Sequence, residues 1–358
     1  MRRLALTALL IMVALVVGAC GSPGGTGSST PTNDKPFAGQ TLVVTSYGGT
    51  WQEFMEKEIV PDFEAQTGAK IQLAVGLSKD WIAQLRAAGV NNPPYDVVIA
   101  NETWISRARA EGYFQKLPVE KIPNLNDVHP KLRMPNDVGV LALIGPLGLG
   151  YRTDLVQNPP TSWLDIRNYD GKAGIYNIVN AAAAQQVMMT AKILTGDYKD
   201  WKAGAEWIKA SCPLKQTDFS GDMEQLLLQG EIVVGIIDAP AASRLKKQGA
   251  PIEWVAPKEG LFMFEQNVNV TAGTKVPDLA FAFVNYMLSE PVQQKWAQAY
   301  YWTPANVKVI IPDDLKPYIP IQADNIGLIS QWDWEWFHSG PDEELVNWWN
   351  REMTGSCR

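Results

Sequence analysis

Between Thr41 and Gly112 the chain alternates three short apolar runs with three helix-patterned runs, and this alternation constrains the fold more than any other feature. Thr41-Leu42-Val43-Val44-Thr45-Ser46 reads as a strand, ended by the turn signal Tyr47-Gly48-Gly49. The spacing of Phe54, Ile59 and Phe63 predicts a helix stopped by Gly68 and kinked or divided by Pro61. Ile71 to Val75 is the next strand. Trp81, Ile82, Leu85 and Ala88 then mark a helix ending at Gly89. Asp96 to Ala100 reads as a buried strand, followed by a helix from about Thr103 to Glu111. Strand and helix in such close succession imply a parallel sheet with right-handed crossovers, an α/β fold.

The Gly- and Pro-rich run Gly145-Pro146-Leu147-Gly148-Leu149-Gly150 follows an irregular segment and reads as a change of lobe. A second α/β series follows it. Strands are expected at Lys172–Tyr176, Glu231–Ile237, Ile252–Ala256 and Gln266–Thr271. Helices are expected at Asn180–Leu194, Trp201–Ala210, Met223–Gln229, Pro277–Leu288 and Pro291–Ala299. A chain of 358 residues is long enough for two such bodies.

The first residues carry an address rather than a fold. Arg2 and Arg3 precede an apolar run from Leu4 to Val17. As a helix that run rises about 21 Å, short of the ~30 Å hydrocarbon core, and it reads as a secretory signal peptide over residues 1–20. Its boundary, Val17-Gly18-Ala19-Cys20, resembles the lipobox of bacterial lipoproteins, which implies a lipid-modified Cys20 and a membrane anchor. Residues 21–37, mostly Gly, Ser, Thr and Pro, make a flexible tether spanning roughly 20–24 Å. Export places the body on the extracytoplasmic face of the membrane, in the periplasm or at the cell surface. There Cys212 and Cys357 are candidates for a disulfide.

Charge and composition then narrow the function. A net charge of −7 argues against a nucleic-acid partner. Two His and three Cys leave little material for a His-based metal site or a catalytic triad, and no cofactor is implied. In open parallel sheets ligands bind beyond the carboxyl ends of strands. Those positions hold Tyr47, Gly48 and Trp51 after the first strand, then Glu102, Thr103 and Trp104 after the third. Asn177 and Asn180 follow the strand at Lys172, and Asp238 follows Val233-Val234-Gly235-Ile236-Ile237. These turns are aromatic, amide and acidic. They suit a small solute bearing an amine, through carboxylate pairing and cation–π contact. A secreted hydrolase with a Trp-lined cleft, using Glu102 and Asp238 as its acid and base, is the competing reading. A lipid-anchored sensor or adhesin with no captured solute is a third.

The order of motifs resembles the solute-binding proteins of ABC importers, specifically the spermidine/putrescine-binding type. The matching pieces are Tyr47-Gly48-Gly49, Pro94-Tyr95-Asp96-Val97-Val98, Ser162-Trp163-Leu164-Asp165 before Tyr169-Asp170-Gly171-Lys172, and Gly230-Glu231. The long run Gly249-Ala250-Pro251-Ile252-Glu253-Trp254-Val255-Ala256-Pro257-Lys258-Glu259-Gly260 and Thr303-Pro304-Ala305-Asn306 complete the set. The resemblance implies a non-enzymatic, two-lobed periplasmic-binding-protein-like (type II) fold, each lobe a mixed sheet flanked by helices. Lobe one would comprise 38–146 and 260–303, and lobe two 147–259 and 304–358. It further implies a monomer that delivers its ligand to a permease. The polyamine branch usually carries an aromatic at the position of Asp238 and an acid at that of Gln266. This chain departs from both, which leaves a smaller amine, an amino-acid derivative or a betaine-like cation open. Phe262, Phe264 and Glu265 are expected to replace the missing wall. Tyr300-Tyr301 suggests ferric iron as a minority alternative.

Overall fold

The computed structural model describes residues 35–355 and 357, so the expected signal peptide, Cys20 and most of the tether lie outside the described residues. The first strands are β1 (Thr41–Ser46), β2 (Lys70–Val75) and β3 (Val97–Ala100). Between β1 and β2 run α1 (Thr50–Phe54), a π-helical turn (Met55–Ile59) and α2 (Val60–Thr67); α3 (Ser78–Ala88) leads to β3, and α4 (Glu102–Ala110) follows it. The helical break expected at Pro61 falls just ahead of it, where proline occupies the first turn of α2 and lacks the N–H that a helix interior would need.

β4 (Val140–Arg152) is a single long strand through the Gly/Pro-rich run that composition marks only as a boundary. Glycine is needed there for space. A Cβ on Gly148 would come within 2.5 Å of the Trp254 ring, and one on Gly150 within 2.5 Å of Ile237. Next come β5 (Ala173–Tyr176), α5 (Ala181–Thr195), α6 (Trp201–Ala210) and β6 (Lys215–Thr217). They are followed by α7 (Ser220–Gln229), β7 (Val234–Asp238), α8 (Ala239–Lys247) and β8 (Ile252–Val255). β9 (Phe262–Val270) begins four residues earlier than hydropathy suggests, because it too crosses between cores. The chain closes with α9 (Pro277–Met287), α10 (Glu290–Tyr300), β10 (Thr303–Pro304), α11 (Trp334–His338) and α12 (Pro341–Glu352). Among the described residues no helix is long and apolar enough to cross a membrane.

The strand order is β2-β1-β3-β9-β4-β7-β5-β6, with β8 and β10 also paired to β4. Two sets of apolar side chains flank its two ends. Val44, Val97 and Ile99 pack with Phe63, Phe283 and Trp296 on one face of the first set of strands, and Val98 packs with Trp81, Leu85 and Ile105 on the other. Val234, Ile236 and Ile175 pack with Val187, Met188, Trp163 and Trp349 at the far end. β4 passes between the two, with Ile144 in the first core and Leu147 in the second. The fold is therefore α/β with a mixed sheet and helices on both faces, as the strand–helix alternation requires.

The last segment departs from expectation. Ala305, Ile321, Ile326 and Ile329 remain in the first core, and Trp332 is the next buried residue of the second. The change of core thus falls after Ile329 rather than at Pro304, since the aliphatic residues between them find their apolar partners beside β9 and β10. Beyond it α12 buries Leu345 and Trp349 completely, and Cys357 is disulfide-bonded to Cys212 with Cα atoms 5.1 Å apart.

Candidate functional site

Strand direction brings the functional positions together. β1 and β3 are parallel, β9 is antiparallel to β3, β4 to β9 and β7 to β4, while β5 and β6 are parallel to β7. The strands of the two cores therefore run in opposite senses, and their carboxyl ends converge on the middle of β4 and the start of β9. That is where a parallel sheet places its ligands.

The register assigns side chains to the two faces of this ribbon. Directly opposed residues share a face, and successive residues alternate. Gln266 opposes Leu143, Phe264 opposes Gly145 and Asp238 opposes Leu147, so Gln266, Phe264 and Asp238 lie on one face. A Cβ on Gly145 would come within 3.0 Å of the Trp302 ring and 3.5 Å of Asp238 Cβ, so only glycine leaves that approach open. The Tyr176 ring stands edge-on to Phe264 at 5.8 Å. Trp302 meets Trp51 edge-on at 6.0 Å, and Trp51 stacks on Trp296 at 4.2 Å. The result is one carboxylate and an aromatic wall around Gly145.

Asp238 is 5% exposed. Its Oδ1 accepts the Ala241 N–H at 2.9 Å, capping α8, and among the described residues it has no ion pair. Burial pushes its carboxyl above the ordinary value, against the opposing pull of the Arg244 charge and the Ala241 N–H. Arg244 is itself paired with Glu224 at 3.3 Å. Burial also raises Glu224, with Arg244 pulling down and Asp238 adding to the rise. On the same face Gln266 Oε1 is buried with no hydrogen-bond partner among the described residues, as is the indole N–H of Trp51. Ser243 on α8 donates to the Tyr318 carbonyl at 2.8 Å, which joins the two cores along this side.

The opposite face corrects the expectation that Phe264 and Glu265 form one wall, because neighbours on a strand point apart. Glu265 opposes Ile144, is 1% exposed, and accepts the Glu102 N–H on Oε1 at 2.8 Å. It thus caps α4, whose own N-cap, Asn101, makes no side-chain cap. Burial, then the nearby Glu102 charge, raise Glu265 well above the ordinary carboxyl value. Glu102 is held by both guanidinium nitrogens of Arg109 and by the Asn267 amide. Its carboxylate braces α4 and leaves no free edge for a solute or for the acid–base pair of a hydrolase. Tyr47 donates to Asn101 Oδ1 at 3.1 Å and shares a 2.6 Å hydrogen bond with Ser78, so its hydroxyl belongs to the same brace. Burial raises that hydroxyl's pKa.

Of the remaining expected site residues, Trp51 joins the Asp238 face through Trp302. Thr103 is buried with an unpartnered hydroxyl at the start of α4. Gly48 is exposed, and Trp104 packs against the Trp81–Ile105 cluster. Asn180 caps α5 through Ala182 N–H and donates to the Asp218 carbonyl, and Asn177 gives its N–H to Thr217. The Asn180 amide is thus structural. The Tyr300 ring meets Phe54 edge-on at 4.9 Å, and the Tyr301 ring meets Tyr318 at 5.4 Å. Tyr176 stands at the strand end that sequence reasoning reads beside Asn177; Trp302 and Gly145 are the members that it misses. Only the register of β4 against β7 and β9 singles them out.

Known proteins agree with this architecture. The family model for bacterial extracellular solute-binding proteins matches residues 58–321. The spermidine/putrescine-binding periplasmic protein of Escherichia coli is 25% identical over 292 residues, covering 75% of this chain and 83% of that one. The spermidine/putrescine-binding periplasmic protein 1 of Haemophilus influenzae is 25% identical over 321 residues, covering 82% and 87%. Among solved structures, an ABC transporter protein from Clostridium perfringens superposes with a TM-score of 0.74 at 23% identity, covering 87% of this chain and 99% of that one. The two named relatives are, by their names, binding proteins for spermidine and putrescine. With a family match that spans most of its described residues, the chain belongs to the bacterial extracellular solute-binding protein family.

Proposed function

We propose that this protein is the solute-binding component of an ABC importer, and that it captures a small amine-bearing solute between two closing lobes on the Gly145 face of β4 and β9. The observation that carries the reading is Asp238: a carboxylate 5% exposed, without an ion pair among the described residues, close with Trp302 to Gly145 and on the same face as Phe264. A buried unpaired charge is costly, and a cation with aromatic contacts offsets that cost. Together Asp238, Glu224 and Arg244 sum to a single negative charge. That charge is met by one ammonium of a betaine-like, amino-acid-derived or polyamine-like solute.

Solute contacts to both lobes exist only in the closed arrangement, so binding shifts the population toward closure by the difference in affinity. Cys20 takes the lipid, and residues 21–37 tether the body to the membrane beside its permease. The test is calorimetry and thermal shift with putrescine, spermidine, γ-aminobutyrate, glycine betaine, glucose and ferric citrate. One-to-one binding of an amine or quaternary ammonium without turnover supports the reading. Binding of glucose or ferric citrate alone, or any turnover, overturns it. Replacing Cys20 by Ser should release the protein from the membrane fraction, and retention would refute the anchor.

A further inference from the structure

His338, on the five-residue helix α11, reaches from the second core to the first. Its Nε2 lies 2.9 Å from Ser106 Oγ on α4, and its Nδ1 lies 2.8 Å from Asp342 Oδ2 on α12. Phe337 roots α11 in the second core, whereas the flanks of Ser106, Ile105 and Ala108, belong to the first. Arg107 and Glu343 approach within 3.8 Å alongside, a more exposed contact between α4 and α12. The carboxylate–imidazole–hydroxyl order is that of a hydrolase triad. Ser106, however, sits inside α4, where the helix consumes the backbone N–H groups an oxyanion would require.

The hydrogen count shows what the trio does instead. Ser106 has one hydroxyl hydrogen, and it goes to the Glu102 carbonyl at 2.8 Å. Oγ must therefore accept from His338 Nε2. Asp342 is an acceptor when ionised, so Nδ1 must donate as well. Both ring nitrogens carry hydrogen only in the imidazolium. A neutral ring can keep both contacts only if Ser106 gives up its bond within α4.

We propose that Ser106, His338 and Asp342 form a proton-dependent latch that joins the two lobes away from the Asp238 face and tightens solute binding as pH falls. The charged groups around the ring support the assignment. Asp342 and Glu343 come from α12, and Glu335 lies on the ring's own helix. Arg107 comes from α4, while Arg109 is tied to Glu102 and Glu111 to Arg86. Burial alone would raise Asp342, yet hydrogen bonds from His338 and the Glu343 N–H and the His338 and Arg107 charges hold it below its usual value. The Asp342 carboxylate is thus held in its accepting form beside the ring.

The affinity part of this inference rests on the capture reading; the conformational part does not. The test compares wild type with Ser106→Ala and Ser106→Thr between about pH 5 and about pH 8, where imidazoles titrate. Small-angle scattering of the solute-free protein reads closure, and calorimetry with putrescine as probe reads affinity. Wild type and Ser106→Thr should become more compact toward pH 5, and Ser106→Ala should not. The ratio of wild-type to Ser106→Ala affinity should grow roughly threefold to tenfold over the same range. Using the ratio removes the opposite trend from protonation of Asp238. A pH-independent radius of gyration in wild type, or the same pH response in Ser106→Ala, overturns the latch. If putrescine does not bind, the scattering arm still decides the latch, and only the choice of solute fails.

Discussion

Replacing Asp238 by Asn separates its two roles. Asparagine caps a helix as well as aspartate does and keeps the oxygen that accepts the Ala241 N–H, so α8 retains its start. What is lost is the charge, in a site 5% exposed and without an ion pair among the described residues. A hydrogen bond to a charged partner contributes about 1.5–3 kcal/mol, and tenfold in affinity is ~1.4 kcal/mol, so an amine should bind about 10- to 100-fold more weakly. The solute-free variant should be at least as stable as wild type at neutral pH. Because burial raises the folded-state carboxyl, its contribution to stability is present at low pH and is lost as pH rises through the folded value. Asparagine removes that loss. Isothermal titration at pH 7.5 with thermal unfolding in the same buffer gives both numbers. Unchanged affinity would reduce Asp238 to a helix cap and refute the reasoning.

Three further outcomes follow from the geometry. Phe264→Ala should weaken amine binding by about 0.5–2 kcal/mol while Glu265→Gln leaves it within twofold, because the two residues face opposite ways on β9; equal losses in calorimetry would contradict the register. Glu265, whose carboxyl burial and Glu102 raise in the folded state, adds stability at low pH that is lost as pH rises through its folded value; Glu265→Gln should flatten that slope in urea unfolding between pH 5 and pH 8, and an unchanged slope would refute the assignment. Removing the Cys212–Cys357 bond by a double Ser substitution should cost about 2–4 kcal/mol in chemical unfolding, since it closes a loop of 145 residues; a change below 0.5 kcal/mol would count against it.

Local pattern made much of the fold legible. Strand–helix alternation in residues 41–112 needs only periodicity and glycine stops. β4 was hidden because glycines and a proline mask a strand whose neighbours are bulky; Gly148 is there for Trp254 and Gly150 for Ile237. The site was half legible. Asp238 follows from its strand end, but pairing Phe264 with Glu265 required knowing which face each occupies, and adjacency in sequence guarantees they differ. Glu102 was misjudged for a related reason: Arg109 and Asn267, which bind it, come from a later turn and a distant strand. The departure at 304–330 lay in a segment with little periodicity, where tertiary contacts with Leu261 and β4 decide the path.

The most direct measurement is mass spectrometry of the small molecule released when the protein, purified without added solute, is denatured. A positively charged amine or quaternary ammonium in one-to-one amount is the expected result. A sugar, an anion or a metal complex in that amount would contradict a site organised around the Asp238 carboxylate.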